Sequence, residues 1–230
     1  MSEELEPLRR TDGFALQVAA ALVLGGLAGW LGQPSGTWLG WTGRSWFAAA
    51  IAVPIVHQLI AGIGWRAELV DRRFTRRFGV HGLRVFGAVF LPLLALRPVV
   101  VLGVAMSDAG SAWEPGALSS VAALVLAVPA VWTFVSVARY FGIRRALGVD
   151  HFDPDFDEPY VRNGAFAMVP NAMYVLGFLA LWAIAVAAGS RAALAAAGFQ
   201  HAFIWAHHRW IERPDMQVIY EGRPIASPDR

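Results

Sequence analysis

The chain has 230 residues, of which 57% are hydrophobic and 16% are charged, and its mean hydropathy is +0.48. Soluble domains are about half apolar and a quarter charged, so this composition favours a protein of the lipid bilayer. The net charge of +2 is too small to indicate nucleic-acid binding, and the absence of cysteine excludes disulfides and thiolate metal sites.

Four hydrophobic runs precede residue 139, and each has the roughly 20 mostly apolar residues that cross a bilayer. They predict spans at about Phe14–Leu31, Trp46–Trp65, Leu83–Met106 and Ala117–Ala138. The first run lacks a convincing signal-peptide cleavage site, so we interpret it as a retained span.

Two further apolar runs, about Ala172–Ala188 and Ala192–Ala206, are joined only by Gly189, Ser190 and Arg191. A joint this short makes two helices antiparallel neighbours. The predicted fold is therefore all-α, a polytopic membrane helical bundle of about six transmembrane helices with a C-terminal helical hairpin.

Nearly all the basic residues lie on one side of this six-span arrangement. The chain has no lysine, and six arginines occur between Arg66 and Arg84. Because basic loops face the cytoplasm, we predict that both termini are cytoplasmic, in a bacterial inner membrane. Residues 1–138 are predicted to form a four-span N-terminal region, and residues 139–230 a C-terminal core of connector, hairpin and tail.

Along the sixth span, His201, Trp205, His208 and Glu212 are spaced 4, 3 and 4 residues apart, which places them on one helical face. Such a stripe is unfavourable against lipid, so it is expected to face the bundle interior or a wet cavity. The alternative is that the rings are interfacial anchors and Glu212 is a solvated charge. Pro214 is expected to stop or bend the helix just past Glu212.

The motifs N-A-M-Y-V-L-G (Asn171–Gly177) and W-I-E-R-P-D-M-Q-V-I-Y (Trp210–Tyr220) stand at the two polar ends of the hairpin. Together they resemble the C-terminal core of the integral-membrane methyltransferases, which include the phosphatidylethanolamine N-methyltransferases and the isoprenylcysteine carboxyl methyltransferases. The resemblance covers about the last 80 residues, from roughly Arg145. It implies S-adenosylmethionine as cofactor and a lipophilic methyl acceptor.

The resemblance also implies roles for individual residues. Glu212 matches the first carboxylate of the family's acidic pair, implied to hold the amino group of the cofactor, and Arg213 stands in place of the second. Asn171, Met173, Tyr174 and Gly177 match the first motif, which is implied to line the cofactor cavity, and Tyr220 matches the tyrosine after the carboxylate. Trp205 and Arg213 are further candidates for cofactor binding. Ala172 replaces the family's usual proline, and the departures concern the acceptor more than the cofactor.

Methyl transfer to an amine needs a group that removes a proton, and histidine suits this near neutral pH. His208 is the first candidate for this catalytic role and His201 the second. The expected acceptor is a phosphatidylethanolamine-type amine, followed by an isoprenylcysteine-like carboxylate or a thiol, entering from the bilayer.

Two polar residues of the N-terminal spans are candidates for acceptor binding. Arg97 lies deep in the third span, where it either binds a lipid phosphate or carboxylate or extends to the external interface. His57 lies in the cytoplasmic half of the second span. The acidic run Asp150–Glu158 lacks the glycine-centred spacing of a calcium loop, so a solvated loop and no metal site is predicted.

Two other functions remain open at this point. One is a membrane reductase that resembles the steroid-reductase branch and binds NADPH. The other is a non-enzymatic bundle in which His57, His201 and His208 hold haem or a quinone. The oligomeric state does not follow from the sequence.

Overall fold

The structure, a computed structural model, describes residue 8 and residues 11–220 except 157 and 160. Outside the described residues lie most of the segment before the first predicted span, the polar tail after residue 220, and Asp157 of the acidic run. Helices dominate the described chain, as the composition predicts.

The α-helices in chain order are α1 Asp12–Leu31, α2 Gly43–Asp71, α3 Arg73–Phe78, α4 Gly82–Ser107, α5 Ala117–Ser136, α6 Ile143–Ala146, α7 Val149–Phe152, α8 Leu179–Ala188, α9 Arg191–His207 and α10 Arg213–Tyr220. Strands β1 Thr37–Trp38 and β2 Trp41–Thr42 pair antiparallel, with Trp38 opposite Trp41. Turns of 3-10 helix lie at Gly79–His81 and Gly164–Ala167, and π turns at Val137–Phe141, Met173–Gly177 and His208–Glu212.

Within the described chain, four helical stretches are long and apolar enough to cross a membrane, namely Asp12–Leu31, Gly43–Asp71, Arg73–Ser107 and Ala117–Phe141. Met173–Ala188 is a shorter apolar helix. Large apolar side chains such as Leu22, Trp30 and Leu118 point outward, which suits a lipid environment. The all-α membrane bundle is confirmed, whereas the count of six spans and the cytoplasmic location of the termini stay predictions.

The hairpin of α8 and α9 lies at the centre of the packing. Helix α8 packs against α4 and α5, while α9 packs against α1 and α2. The buried alanines of α9 let its backbone approach these neighbours closely, as small residues do in membrane helix interfaces. The hairpin therefore joins the N-terminal spans to the C-terminal ones.

The joint of the hairpin is a tight turn. Gly189 adopts a left-handed conformation with φ of +57°, and the Ser190 hydroxyl oxygen accepts a 3.0 Å hydrogen bond from the Ala193 amide at the start of α9. Asp108 accepts hydrogen bonds from the Ser190 hydroxyl (2.8 Å) and the Ala192 amide (3.0 Å). The predicted antiparallel hairpin is confirmed.

The sequence predicts that the helix stops or bends at Pro214, and of these alternatives the stop is wrong. The helix passes through the π turn His208–Glu212 and continues as α10. Pro214 is the second residue of α10 and has no N–H with which to bond back into the π turn. The π turn before it accommodates the change in backbone pairing.

Candidate functional site

Two π turns lie at the same end of the hairpin, Met173–Gly177 before α8 and His208–Glu212 after α9. A π turn is wider than an α turn and redirects its side chains, and such turns are frequent at functional sites. Asn171 precedes the first turn with φ of +52°, and its carbonyl accepts a 2.7 Å hydrogen bond from the Tyr174 amide. This local backbone directs Tyr174 toward the second π turn.

The two turns meet at the carboxylate of Glu212. Its Oε2 atom accepts a 2.6 Å hydrogen bond from the Tyr174 hydroxyl and lies 3.1 Å from Nδ1 of His208. The other oxygen, Oε1, has no hydrogen bond within the described residues. The side chains of Glu212 and His208 are 19% and 21% exposed, so a ligand can reach them.

The pKa of Glu212 is held below its ordinary value. Burial raises the pKa, but the contact with His208 and the hydrogen bond from Tyr174 outweigh that effect. The carboxylate is therefore ionised at neutral pH and available to a cationic ligand.

Three aromatic rings surround this carboxylate. The ring of Tyr174 meets those of Trp205 and His208 edge to face, at centroid distances of 5.8 and 5.7 Å. Trp205 and His208 also meet edge to face, at 5.7 Å. We call Tyr174, Trp205, His208 and Glu212 the carboxylate cluster.

A second group of contacts lies further into the bundle. Nδ1 of His201 accepts a 3.1 Å hydrogen bond from the Trp182 indole, and its ring stacks on Phe178 at 5.2 Å. The guanidinium of Arg97 lies over the Phe178 ring, 4.7 Å from the ring centre. Arg97 also donates a 3.0 Å hydrogen bond to Oε1 of Gln200 and is only 4% exposed.

Three other residues of the predicted cofactor site, Met173, Gly177 and Arg213, are not part of the carboxylate cluster. Met173 is half-buried and Arg213 is exposed. Gly177 is buried against α5, where an added Cβ would lie 3.8 Å from Phe134 and Thr133. Of the predicted site residues, those in mutual contact are thus Tyr174, Trp205, His208 and Glu212.

Tyr220 belongs to a different, buried network that joins α2, α7 and α10. Its hydroxyl donates a 3.0 Å hydrogen bond to Asp150, whose other oxygen is 3.0 Å from Nδ1 of His151. Nε2 of His151 faces Asp215 at 3.7 Å, an ion-pair distance too long for a direct hydrogen bond. Asp215 in turn accepts a 2.9 Å hydrogen bond from Arg66. We call these five residues the anchor network.

Charges in the anchor network stabilise one another. Burial lowers the pKa of His151, but its contacts with Asp150 and Asp215 outweigh burial and raise the pKa to about 9. Burial together with the charge of Asp150 raises the pKa of Tyr220 to about 12. At neutral pH a protonated His151 therefore lies between two carboxylates.

His57, the other predicted acceptor residue, lies away from the carboxylate cluster. It is 4% exposed, and its ring lies 4.4 Å from that of Phe90 in α4. It therefore packs between α2 and α4, whereas the carboxylate cluster lies between α9 and the start of α8.

Residues 118–223 match the model of a protein family described as phospholipid methyltransferase. These residues are similar to that family, and we call them the phospholipid methyltransferase region. The match confirms the family resemblance predicted from the sequence, and it spans the chain from α5 to the end of α10. No curated protein and no solved structure matches the chain.

The carboxylate cluster lies wholly within the phospholipid methyltransferase region, as do His201 and Tyr220. His57 and Arg97 lie in the N-terminal helices, before that region begins. Arg66 does too, so its pairing with Asp215 joins the N-terminal helices to the phospholipid methyltransferase region.

Sequence reasoning missed the anchor network. Arg66 is one of the arginines on which the predicted topology rests, yet it is 8% exposed and paired with Asp215. The acidic run was expected to be a solvated loop, which is wrong for Asp150, whose side chain is 8% exposed. The one available signal was an Asp-His pair, Asp150-His151, inside a basic connector, and its partners are about 65 to 85 residues away in sequence.

Proposed function

We propose that the protein transfers a methyl group from S-adenosylmethionine to a lipid-like acceptor, with a phosphatidylethanolamine-type amine as the first candidate. The observation that carries the proposal is the carboxylate cluster, where Tyr174 and His208 both contact one oxygen of Glu212 within the phospholipid methyltransferase region. The family match supports methyl transfer, and the cluster supplies groups suited to the cofactor.

The cluster fits the charges of this cofactor. S-adenosylmethionine carries an ammonium group and a sulfonium group, and both are cationic. Glu212 uses Oε2 for its protein partners, which leaves Oε1 for the ammonium group. Aromatic rings such as those of Tyr174 and Trp205 attract cations to their faces.

His208 is the group best placed to take a proton from an amine acceptor. When bound, the cofactor supplies an electrophilic methyl group, and its sulfur leaves with the bonding pair as a neutral thioether. Because the ionised Glu212 accepts from Nδ1–H of His208, the lone pair of Nε2 is free to receive the proton of the acceptor ammonium.

His201 is less suited to the same task. Its Nδ1 already accepts a hydrogen bond from the Trp182 indole, so the proton of the neutral ring is on Nε2. That arrangement leaves His201 no lone pair with which to take a proton from the acceptor. We therefore assign His201 to orientation of a bound group and His208 to proton removal.

Arg97 is assigned to the acceptor side. No carboxylate of the described chain lies within ion-pair distance of its guanidinium, and a cation buried in a membrane bundle without an acidic partner suits a lipid phosphate. Arg97→Gln should raise the KM for a phospholipid acceptor while leaving cofactor binding unchanged, whereas Arg44→Gln, at an exposed position, should change neither. An unchanged KM in Arg97→Gln would remove Arg97 from the acceptor site.

Calorimetric binding of S-adenosylhomocysteine to the purified protein tests the cofactor assignment. We expect micromolar binding by the wild type and by Glu114→Ala, an exposed glutamate of the α4–α5 loop, and no measurable binding by Glu212→Ala. Absence of binding to folded wild-type protein would reject the proposal. Equal binding by all three proteins would keep the cofactor and reject Glu212 as its ligand.

The acceptor is tested with vesicles of defined lipid composition and S-adenosylmethionine labelled in its methyl group. Label should enter vesicle lipid containing phosphatidylethanolamine, and should be absent from vesicles of phosphatidylglycerol alone. Binding of the cofactor product without transfer to phosphatidylethanolamine would move the acceptor to a carboxylate or a thiol.

A further inference from the structure

Four polar side chains are buried within helices α1, α2 and α9. They are Gln17 of α1, His57 and Gln58 of α2 and His207 of α9, with exposures of 0%, 4%, 1% and 2%. No side-chain nitrogen or oxygen of these residues has a hydrogen-bond partner in the described part of the chain. We call these residues the polar layer.

Gln17, Gln58 and His207 lie at a similar depth in the bundle, as their positions along the helices show. An added Cβ at Gly62 would lie 3.0 Å from Ile211, 3.1 Å from Phe14 and 3.5 Å from His207, so these residues meet. The ring of His207 itself reaches Gly62, while Gln17 follows Phe14 by three residues and Gln58 precedes Gly62 by four. Each step is about one helical turn further into the bundle.

The polar layer is closed toward the charged end of the bundle. Phe14 and Ile211 pack at Gly62, and the guanidinium of Arg66 covers the Phe14 ring at 5.0 Å. Unpaired amides and imidazoles are unfavourable in the interior of a bilayer, so a polar partner is expected among them. That partner has to enter by another route.

A groove between α1 and α2 supplies the route. It has a volume of about 400 Å³, and apart from Gln17 its lining residues are apolar. Val18 and Leu22 form part of its wall and are 46% and 73% exposed, so the groove opens on the surface that faces lipid. Gln17 belongs both to the groove and to the polar layer.

We propose that this groove binds one membrane lipid with its hydrocarbon chain along the groove and an uncharged hydroxyl or carbonyl head group at the polar layer. Amide and imidazole groups without a carboxylate partner both donate to and accept from such a head group. They offer neither a fixed cation for a phosphate nor an anion for an ammonium group. An uncharged head group is therefore the occupant that the side chains select.

This site is separate from the proposed methyl-transfer site. Phe203 lines the groove, and Trp205 of the carboxylate cluster is two residues away, which is roughly 200° around the helix. The groove and Trp205 thus lie on different faces of α9. Binding in the groove does not depend on the cofactor or on Glu212.

Photo-crosslinking of the full-length protein in vesicles tests the proposal. The probe is a long-chain alcohol with a diazirine in the chain and an alkyne at its end, compared with the matching carboxylate and alkylammonium probes. We expect the alcohol to label peptides of α1 and α2 that line the groove, and the charged probes to label them about tenfold less.

Two glycines of α1 provide matched variants, because an added Cβ at either would meet no atom within 4 Å. Gly26 lines the groove and Gly29 does not. Gly26→Leu should abolish labelling of the groove, and Gly29→Leu should preserve it. Gln17→Leu should reduce labelling by the alcohol about tenfold. Labelling by a probe that has the same hydrocarbon chain and no head group should not change.

Three results would overturn the proposal. Equal labelling by all three probes, with equal response to Gly26→Leu and Gly29→Leu, would mean ordinary bulk lipid. Absence of labelling in folded protein would mean that water alone pairs the polar layer. Absence of labelling at the groove, together with a two-copy mass in detergent that Gly26→Leu reduces to one copy, would mean that a second copy of the chain fills the groove.

Discussion

The hydroxyl of Tyr174 donates a 2.6 Å hydrogen bond to Oε2 of Glu212, 38 residues further along the chain. This contact closes the hairpin of α8 and α9 at its polar end, just as the contacts of Asp108 close it at the joint. It also fixes the rotamer of a carboxylate that His208 contacts from the same helix. The geometry of the carboxylate therefore depends on two partners with different chemistry.

Tyr174→Phe removes one of these partners and keeps the ring. Because a hydrogen bond to a charged group contributes about 1.5–3 kcal/mol, binding of S-adenosylhomocysteine should weaken by about tenfold or more. Calorimetry on the purified variant measures this change. Tyr140→Phe, at an exposed tyrosine, is the matched control and should bind as the wild type does. Unchanged affinity in Tyr174→Phe would mean that His208 alone orients Glu212.

His208→Gln tests proton removal separately from binding. General-base catalysis contributes typically 10²–10⁴-fold, so kcat for an amine acceptor should fall by roughly that factor. The affinity for S-adenosylhomocysteine should change much less, since glutamine can still donate to Glu212. His81→Gln, at an exposed histidine, should retain wild-type kcat. A parallel loss of affinity and kcat in His208→Gln would contradict the assignment and make His208 a binding residue.

Much of this fold follows from periodicity and charge. The apolar runs predicted all four long helices, and Gly189–Arg191 predicted the hairpin because so few residues permit only an antiparallel return. The spacing of His201, Trp205, His208 and Glu212 placed four side chains on one face. Of these, Trp205, His208 and Glu212 meet with Tyr174.

The rest depends on contacts between distant residues, which a single sequence does not reveal. Arg66 and Asp215 are 149 residues apart, and nothing local distinguishes Arg66 from the solvated arginines that follow it. The π turns do not follow from the apolar pattern either. A single π turn shifts the helical period by only one residue and has no composition of its own. His201 has the spacing of the stripe, yet Trp182 and Phe178 hold it in a separate group.

The buried pair of Arg66 and Asp215 should be important for stability. The two side chains are 9% and 0% exposed and 2.9 Å apart. Removing one partner of a buried pair leaves an uncompensated charge and costs about 3–5 kcal/mol, so Asp215→Ala and Arg66→Ala should each lower the unfolding midpoint strongly. The double variant should be less destabilised than the sum of the two single variants.

Arg73 and Asp71 form the matched control for that experiment. They are 3.1 Å apart, but their side chains are 70% and 35% exposed. A surface pair contributes about 0–1 kcal/mol, so Arg73→Ala should leave the unfolding midpoint nearly unchanged. Similar effects of Arg66→Ala and Arg73→Ala would show that the anchor network does not stabilise the fold.

His151 should make stability fall as the pH rises. Its contacts with Asp150 and Asp215 raise its pKa from 6.5 to about 9 in the folded protein. The stabilisation is fully present below the unfolded pKa and is lost as pH passes through the folded one, which amounts to roughly 3 kcal/mol. The unfolding temperature of the wild type should therefore decrease between about pH 7 and pH 9.5. His151→Gln should remove most of that slope, and His81→Gln should retain it; the same slope in His151→Gln would assign the pH dependence to another group.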